Sequence, residues 1–131
     1  PYVLADECIV QMNRILVATN ASIVLSSTWR LSEQGCDEIY NALLFATAVI
    51  GKTPAIGLTP PRRQEILEWL HTVWPYSHGW NNETITHMAV IDDETDADLG
   101  DGSFFKTSFE GGGLTKEIAD RIIIHLNKEG L

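Results

Sequence analysis

The feature that most constrains the fold is a short apolar run that ends on two adjacent carboxylates. Residues Met88 to Ile91 are continuously apolar, and Asp92 and Asp93 follow them directly. A strand that is apolar without alternation is typical of a parallel sheet with both faces covered. In open α/β sheets, ligands bind at the carboxyl ends of such strands. The run therefore predicts an α/β fold with two negative charges at its ligand-binding edge.

The pair Asp92 and Asp93 is a candidate metal site, because carboxylates held side by side repel each other and require a compensating positive charge. Mg²⁺ is a hard cation that prefers oxygen ligands, and it would supply that charge. A solvated acidic loop entry explains the pair equally well when the pair is considered alone. Both interpretations therefore stay open at this point.

Helical and strand patterns alternate along the rest of the chain. We predict helices at residues 6–17, 32–45, 62–71 and 115–128, and strands at 21–26, 48–50, 88–91 and 103–107. A turn is predicted at 51–54, where glycine and proline interrupt the pattern. Strands that alternate with helices indicate a parallel sheet with helices on both sides. The expected fold is a three-layer αβα sandwich, with residues 1–131 in a single domain.

Charge and cysteine content limit the partners and the compartment. Eighteen acidic residues stand against nine Lys and Arg, which gives a formal net charge of -9 at pH 7. Nucleic acids and anionic membranes both select basic surfaces, so the charge disfavours a nucleic-acid partner unless another domain supplies a basic surface. No apolar run is long enough to cross a membrane. Two cysteines, Cys8 and Cys36, fit reduced thiols, and we expect a cytoplasmic protein.

A second predicted strand also ends on polar side chains. Ser26 and Ser27 end this strand, and Arg30 lies three residues later. Hydroxyl donors and a planar guanidinium suit the oxygens of a phosphate. Arg62, with Arg63 beside it, begins a predicted helix whose dipole favours anions. Each residue alone has a simpler explanation, as a strand end or a solvated charge, but together they indicate a phosphate site at one edge of the sheet.

Five short segments occur in a characteristic order between about Ala21 and Thr115. They are Ile-Val-Leu-Ser-Ser-x-Trp-Arg, Val-Ile-Gly-Lys-Thr-Pro, Arg-x-x-Glu-Ile-x-x-Trp-Leu, Val-Ile-Asp-Asp and Gly-Leu-Thr. In this order they resemble a haloacid dehalogenase (HAD) superfamily phosphatase. More narrowly, the chain resembles the small capless HAD domain that is also fused in RNA-repair proteins. The resemblance implies a HAD-like, Rossmannoid parallel sheet and a hydrolase that works through an aspartyl-phosphate.

The resemblance also implies roles for the phosphate-site candidates. The family's second motif is a Ser or Thr that hydrogen-bonds the transferring phosphoryl group, and it matches Ser26, with Ser27 as the alternative. The third motif is a Lys or Arg that neutralises phosphate charge, and Arg62 is its best match. Arg30 and Ser27 would contribute to binding the substrate phosphate. The implied catalytic residues are therefore Ser26 and Arg62.

The family's fourth motif is an acidic pair, which matches Asp92 and Asp93. We expect Asp93 to bind Mg²⁺ directly and Asp92 to support it from the outer shell. A carboxylate that attacks a phosphate dianion faces charge repulsion, which Mg²⁺ and an arginine offset. The implied substrate is a small phosphomonoester or the phosphorylated end of a larger molecule.

The chain departs from the family pattern at the first motif. In the family an Asp-x-Asp on the central strand supplies the nucleophile, and it should precede the helix at Asp6. This chain begins at Pro1, and its Asp-x-Asp, Asp96-Ala-Asp98, instead follows the metal motif. Three explanations stay open: a natural chain that continues upstream, a catalytically inactive HAD-like domain that binds a ligand or a protein, or a mistaken resemblance.

Hydrogen bonding favours the first explanation. Without a central strand, the strands at 21–26 and 88–91 would each leave an unpaired edge inside the domain. Each buried unsatisfied backbone group costs roughly 1–3 kcal/mol, whereas a whole domain has a stability of about 5–15 kcal/mol. We therefore expect a Mg²⁺-dependent phosphatase whose nucleophile lies on a strand upstream of Pro1.

Overall fold

The computed structural model describes residues 6–26, 41–43, 49–54, 61–73, 85, 87–108 and 111–128. Their elements are α1 (Asp6–Thr19), β1 (Ile23–Leu25), β2 (Val49–Lys52), α2 (Arg62–Glu68), β3 (Val90–Asp92), β4 (Phe104–Lys106) and α3 (Lys116–Asn127). A π-helical turn, Trp69–Val73, continues α2, and a 3₁₀ turn, Thr95–Ala97, follows β3. Across these ranges, no helix is both long and apolar enough to span a membrane.

The four strands in the described residues form two parallel pairs. β1 pairs with β2, and the register is irregular between Ile23 and Val24. β3 pairs with β4 in a regular register that runs from Val90 opposite Phe104 to Asp92 opposite Lys106. Parallel strands require crossover connections rather than tight turns. The parallel arrangement that the sequence predicted is therefore confirmed.

Helices cover both faces of the β3–β4 pair. On one face, Ala89, Ile91 and Phe105 pack against buried residues of α1 and α3. On the opposite face, residues including Val90 and Phe104 pack with α2 and the 3₁₀ turn. Alternate residues of a strand point to opposite faces, so the continuously apolar run is divided between the two cores. The result is the predicted three-layer αβα arrangement.

The outer layer on one side is the packed pair α1 and α3. Thr115 caps α3, because its hydroxyl accepts a hydrogen bond from the backbone N–H of Ile118 at 3.3 Å. Ile122, in the middle of α3, is fully buried. Arg14 of α1 forms an ion pair with Asp120 of α3. Apolar packing and one charged contact therefore hold the two helices together.

The prediction of a turn at 51–54 is wrong for its first two residues. Gly51 and Lys52 continue β2, in register with Val24 and Leu25. A Cβ atom on Gly51 would lie 3.2 Å from Nε1 of the Trp69 indole. Glycine in a strand often marks such a close approach rather than a turn. Gly51 therefore serves the packing of the π-helical turn after α2 against β2.

The strand predicted at 88–91 is shifted towards the carboxylates. β3 begins at Val90 and includes Asp92, whose carbonyl accepts a hydrogen bond from Thr107 N at 2.9 Å. The sheet therefore fixes the backbone of Asp92, whereas Asp93 is the first residue beyond the strand. The helix predicted at 32–45 lies outside the described residues except for 41–43.

Candidate functional site

A cleft of about 630 Å³ lies between β1 and β3. Residues 20–26 form one long side and residues 87–92 form the other. Successive residues of both strands line it, as expected of a strand edge, whereas a strand face would expose alternate residues. The two helical layers close it with the apolar side chains of Met12, Ile15, Ile66, Trp69, Leu70, Ile122 and Leu126. The cleft is therefore a mostly apolar space between two strand edges.

Asp92 lies at one end of this cleft. Its Oδ1 accepts a hydrogen bond from Glu94 N at 2.9 Å, and its Oδ2 lies 3.9 Å from Nε of Arg62. Burial is the largest influence on the pKa of Asp92 and raises it. The Glu94 amide and the Arg62 guanidinium act in the opposite direction, while the Asp93 carboxylate raises the pKa further. Because the ionised form is disfavoured here, Asp92 would gain from a nearby cation.

Asp93 lies beside Asp92 and is exposed. The two carboxylates of the predicted metal site are adjacent in sequence, and the Asp93 side chain lies close enough to raise the pKa of Asp92. Among the described residues, no cluster of three or more His, Cys, Asp or Glu side chains forms a metal site. Mg²⁺ in proteins keeps several waters and is often bound through one or two carboxylates. The pair therefore fits Mg²⁺ in its donor chemistry.

Arg62 begins α2 and contacts three carboxylates. Besides its approach to Asp92, its Nη1 donates a hydrogen bond to Oε1 of Glu65 at 3.1 Å, and Glu65 is buried. Its backbone N–H donates to Oδ2 of Asp96 at 2.9 Å. The N-cap residue Pro61 makes no side-chain cap. The anion at this helix N-terminus is therefore the carboxylate of Asp96.

Ser26 and Asp92 line the same cleft. Ser26 lies one residue beyond β1, and Asp92 is the last residue of β3. The structure therefore brings one predicted phosphate-binding residue to the cleft that also contains part of the acidic pair. Arg62 reaches that pair from α2, as described above. Ser27 and Arg30 lie outside the described residues.

Two partners of Arg62, Glu65 and Asp96, were not predicted from the sequence. Glu65 lies three residues after Arg62, a spacing that puts two side chains on one face of a helix and could have indicated the contact. Asp96 is 34 residues away from Arg62 in sequence. No local pattern predicts a cap from so far along the chain.

Comparison with known proteins identifies the family. No curated protein and no solved structure matches the chain. One family model does match, over residues 2–119, and it is described as the HAD domain in Swiss Army Knife RNA repair proteins. This span covers both strand pairs, α2 and all the candidate site residues, so it confirms the resemblance seen in the order of the motifs. The chain belongs to this family of HAD domains.

Proposed function

We propose that this chain forms the phosphate- and metal-binding part of a Mg²⁺-dependent phosphomonoester phosphatase of the HAD type. The observation that carries the proposal is the arrangement of Ser26, Asp92 and Arg62. Ser26 and Asp92 share one cleft, and Arg62 lies 3.9 Å from Asp92. Family membership supports a HAD-type domain. A hydroxyl and a guanidinium can bind phosphate oxygens, and a carboxylate pair can hold the Mg²⁺ that assists phosphoryl transfer.

Each residue has a distinct part in the proposed reaction. Asp93 would hold Mg²⁺, with Asp92 supporting it, and the bound ion supplies positive charge against the phosphate dianion. Arg62 would neutralise further phosphate charge, and the Ser26 hydroxyl would donate a hydrogen bond to a phosphate oxygen. Ser27 and Arg30, on the segment after β1, would complete the binding of the substrate phosphate.

The nucleophile in this proposal is an aspartate on a strand that fills the cleft between β1 and β3. A parallel strand there would pair with both edges and cover the apolar lining described above. A strand that precedes α1 would lie beside β1, because consecutive strands are usually neighbours in a sheet. Its carboxyl end would then lie at the same edge of the sheet as Ser26 and Asp92. The aspartate would attack phosphorus, displace the alcohol, and be regenerated when water hydrolyses the acyl phosphate.

The proposed substrate is a small phosphomonoester or a phosphorylated end of a larger molecule. The family description refers to RNA repair proteins, and a phosphorylated RNA end would fit this chemistry. The net charge of -9 disfavours contact with an RNA backbone. In that case another domain would supply the basic surface that holds the RNA.

The experiment that tests the proposal measures Mg²⁺-dependent hydrolysis of p-nitrophenyl phosphate by the full natural protein. We expect Asp93→Asn to abolish the Mg²⁺-dependent rate with little effect on folding. Asp98→Asn is the matched control, because Asp98 is an exposed carboxylate in the same loop. An active Asp93→Asn variant would contradict the assignment of the metal ligand. A folded natural protein that binds phosphate without hydrolysing it would instead support the inactive binding module.

A further inference from the structure

The loop after β3 is tied to the start of α2 through one carboxylate. Oδ2 of Asp96 accepts the backbone N–H of Arg62 at 2.9 Å, and Pro61 provides no side-chain cap of its own. First-turn amides of a helix lack partners within the helix, so an acceptor from elsewhere fixes the helix start. The backbone amide that Asp96 binds belongs to Arg62, and the guanidinium of the same arginine lies 3.9 Å from Asp92.

The 3₁₀ turn that carries Asp96 is itself anchored. Ala97 has 0% exposure and belongs to the buried cluster that joins α2 to β3. The backbone N–H of Ala97 donates to the carbonyl of Glu94 at 3.3 Å. Because this turn follows Asp93 by only two residues, Asp96 links the acidic pair to α2 over a short and well-packed path.

The side chain of Arg62 is restrained at its other end by Glu65. The Nη1–Oε1 distance is 3.1 Å, and the side chain of Glu65 is 7% exposed. Asp96 therefore holds the backbone of Arg62 while Glu65 holds its guanidinium. A displacement of the first residue of α2 would move the guanidinium relative to Asp92, because the arginine has limited freedom to compensate.

We propose that Asp96 is a positioning residue that sets the location of the Arg62 guanidinium beside the acidic pair. Its relevance to phosphate binding rests on the function proposed above, whereas its effect on Arg62 does not. Misplacement of a binding group by about 1 Å can lower a catalytic rate by about a hundredfold. A carboxylate that touches neither substrate nor metal can therefore control how well Arg62 meets a phosphate.

The test compares Asp96→Ala and Asp96→Asn in the full natural protein. Nitrogen–proton NMR spectra would follow hydrogen exchange at the Arg62 amide and the chemical shift of the Arg62 Nε–Hε group, and titration with Mg²⁺ and inorganic phosphate would give Kd. For Asp96→Ala we expect about tenfold faster exchange at the Arg62 amide, because a helix cap is lost, together with a changed Nε–Hε chemical shift and about tenfold weaker phosphate binding. Asp96→Asn should restore all three, since its side-chain oxygen still accepts the hydrogen bond.

The matched control is Asp98→Ala, which removes the same charge from the same loop. The Asp98 carboxylate accepts from Gly100 N at 2.8 Å and is exposed. Wild-type exchange and Kd in this variant support the proposal. Faster exchange at the Arg62 amide with an unchanged Nε–Hε signal would mean that Asp96 only caps the helix. That result overturns the proposal. If the wild-type protein binds no phosphate, the proposed function fails, while the Nε–Hε signal still decides the role of Asp96.

Discussion

At the scale of single residues, Arg62 serves the fold as well as the proposed chemistry. Its Nη1 lies 3.1 Å from Oε1 of Glu65, which is closer than the 3.9 Å between its Nε and Oδ2 of Asp92. Glu65 is buried, and a hydrogen bond to a charged group contributes more to stability than one between neutral groups. The arginine that would bind phosphate therefore also stabilises the fold through its contact with a buried acid.

Arg62→Ala should lower the free energy of unfolding by about 1.5–3 kcal/mol, the contribution of a hydrogen bond to a charged group. Urea denaturation at pH 7 would measure it. Arg63→Ala is the matched control, because Arg63 is the adjacent exposed arginine of the same helix, and we expect it to change stability by less than about 0.5 kcal/mol. Equal effects of the two substitutions would contradict a special role for the contact between Arg62 and Glu65.

At the scale of the secondary-structure elements, one face of α3 packs against the core. Ile122 is fully buried in the core that α3 shares with α1, whereas Ile124 is 70% exposed. Residues two apart on a helix lie on different faces, so the same residue type occupies opposite environments here. The apolar spacing of Ile118, Ile122 and Leu126 identified this helix in the sequence. It could not show that α1 would be the partner.

Ile122→Ala should destabilise the protein by about 2–5 kcal/mol, because it removes buried methyl groups and leaves a cavity. Ile124→Ala makes the same chemical change on the exposed side of α3 and should alter stability by less than about 0.5 kcal/mol. Thermal and urea denaturation would measure both. A loss of stability at Ile124 as large as that at Ile122 would show that its side of α3 is covered in solution.

The contact between α1 and α3 should also depend on pH. The hydrogen bond from Arg14 is the main reason that the pKa of Asp120 is lowered, and Lys116 acts in the same direction. A lowered pKa stabilises the folded chain above the pKa of an unfolded aspartate, about 3.9, and this stabilisation disappears as the pH falls through the folded value. Asp120→Asn should therefore be less stable than wild type at pH 7.

Urea denaturation at pH 7 and at a series of lower pH values would test this, since the difference should shrink as the wild-type Asp120 becomes protonated. Glu117→Gln, at an exposed position in the first turn of α3, is the control and should show a smaller difference at pH 7. An Asp120→Asn deficit that stays the same across this pH series would assign the loss to packing rather than to charge.

At the scale of the whole molecule, the fold class could be predicted because it follows from local periodicity. The unalternating run before Asp92 required two covered faces, and the two cores on either side of β3 supply them. Ser26 could be expected at the same sheet edge as Asp92, because parallel strands end together. The contacts that sequence could not predict are those between distant segments, such as the cap from Asp96 and the approach of Trp69 to Gly51.

The cleft between β1 and β3 is the feature of the whole molecule that leads to the last prediction. If an upstream strand fills it, a protein that includes that strand buries more surface than residues 1–131 do alone. It should therefore have a higher free energy of unfolding and a larger dependence of that energy on urea, since the urea dependence scales with the surface exposed on unfolding. The intact mass of the natural protein would establish how far its chain extends.

Hydrogen exchange would then locate the added protection. We expect amides along β1 and β3 to exchange more slowly in the longer protein, whereas amides of α3 should gain only the general increase in stability. A chain lengthened at its carboxyl end by the same number of unrelated residues controls for length alone. If the longer protein unfolds at the same urea concentration with the same urea dependence, no strand occupies the cleft. Ser26 and Asp92 both line the cleft, so an upstream aspartate would meet them only from a strand placed there. Without such a strand, the nucleophile would have to come from a different part of the protein.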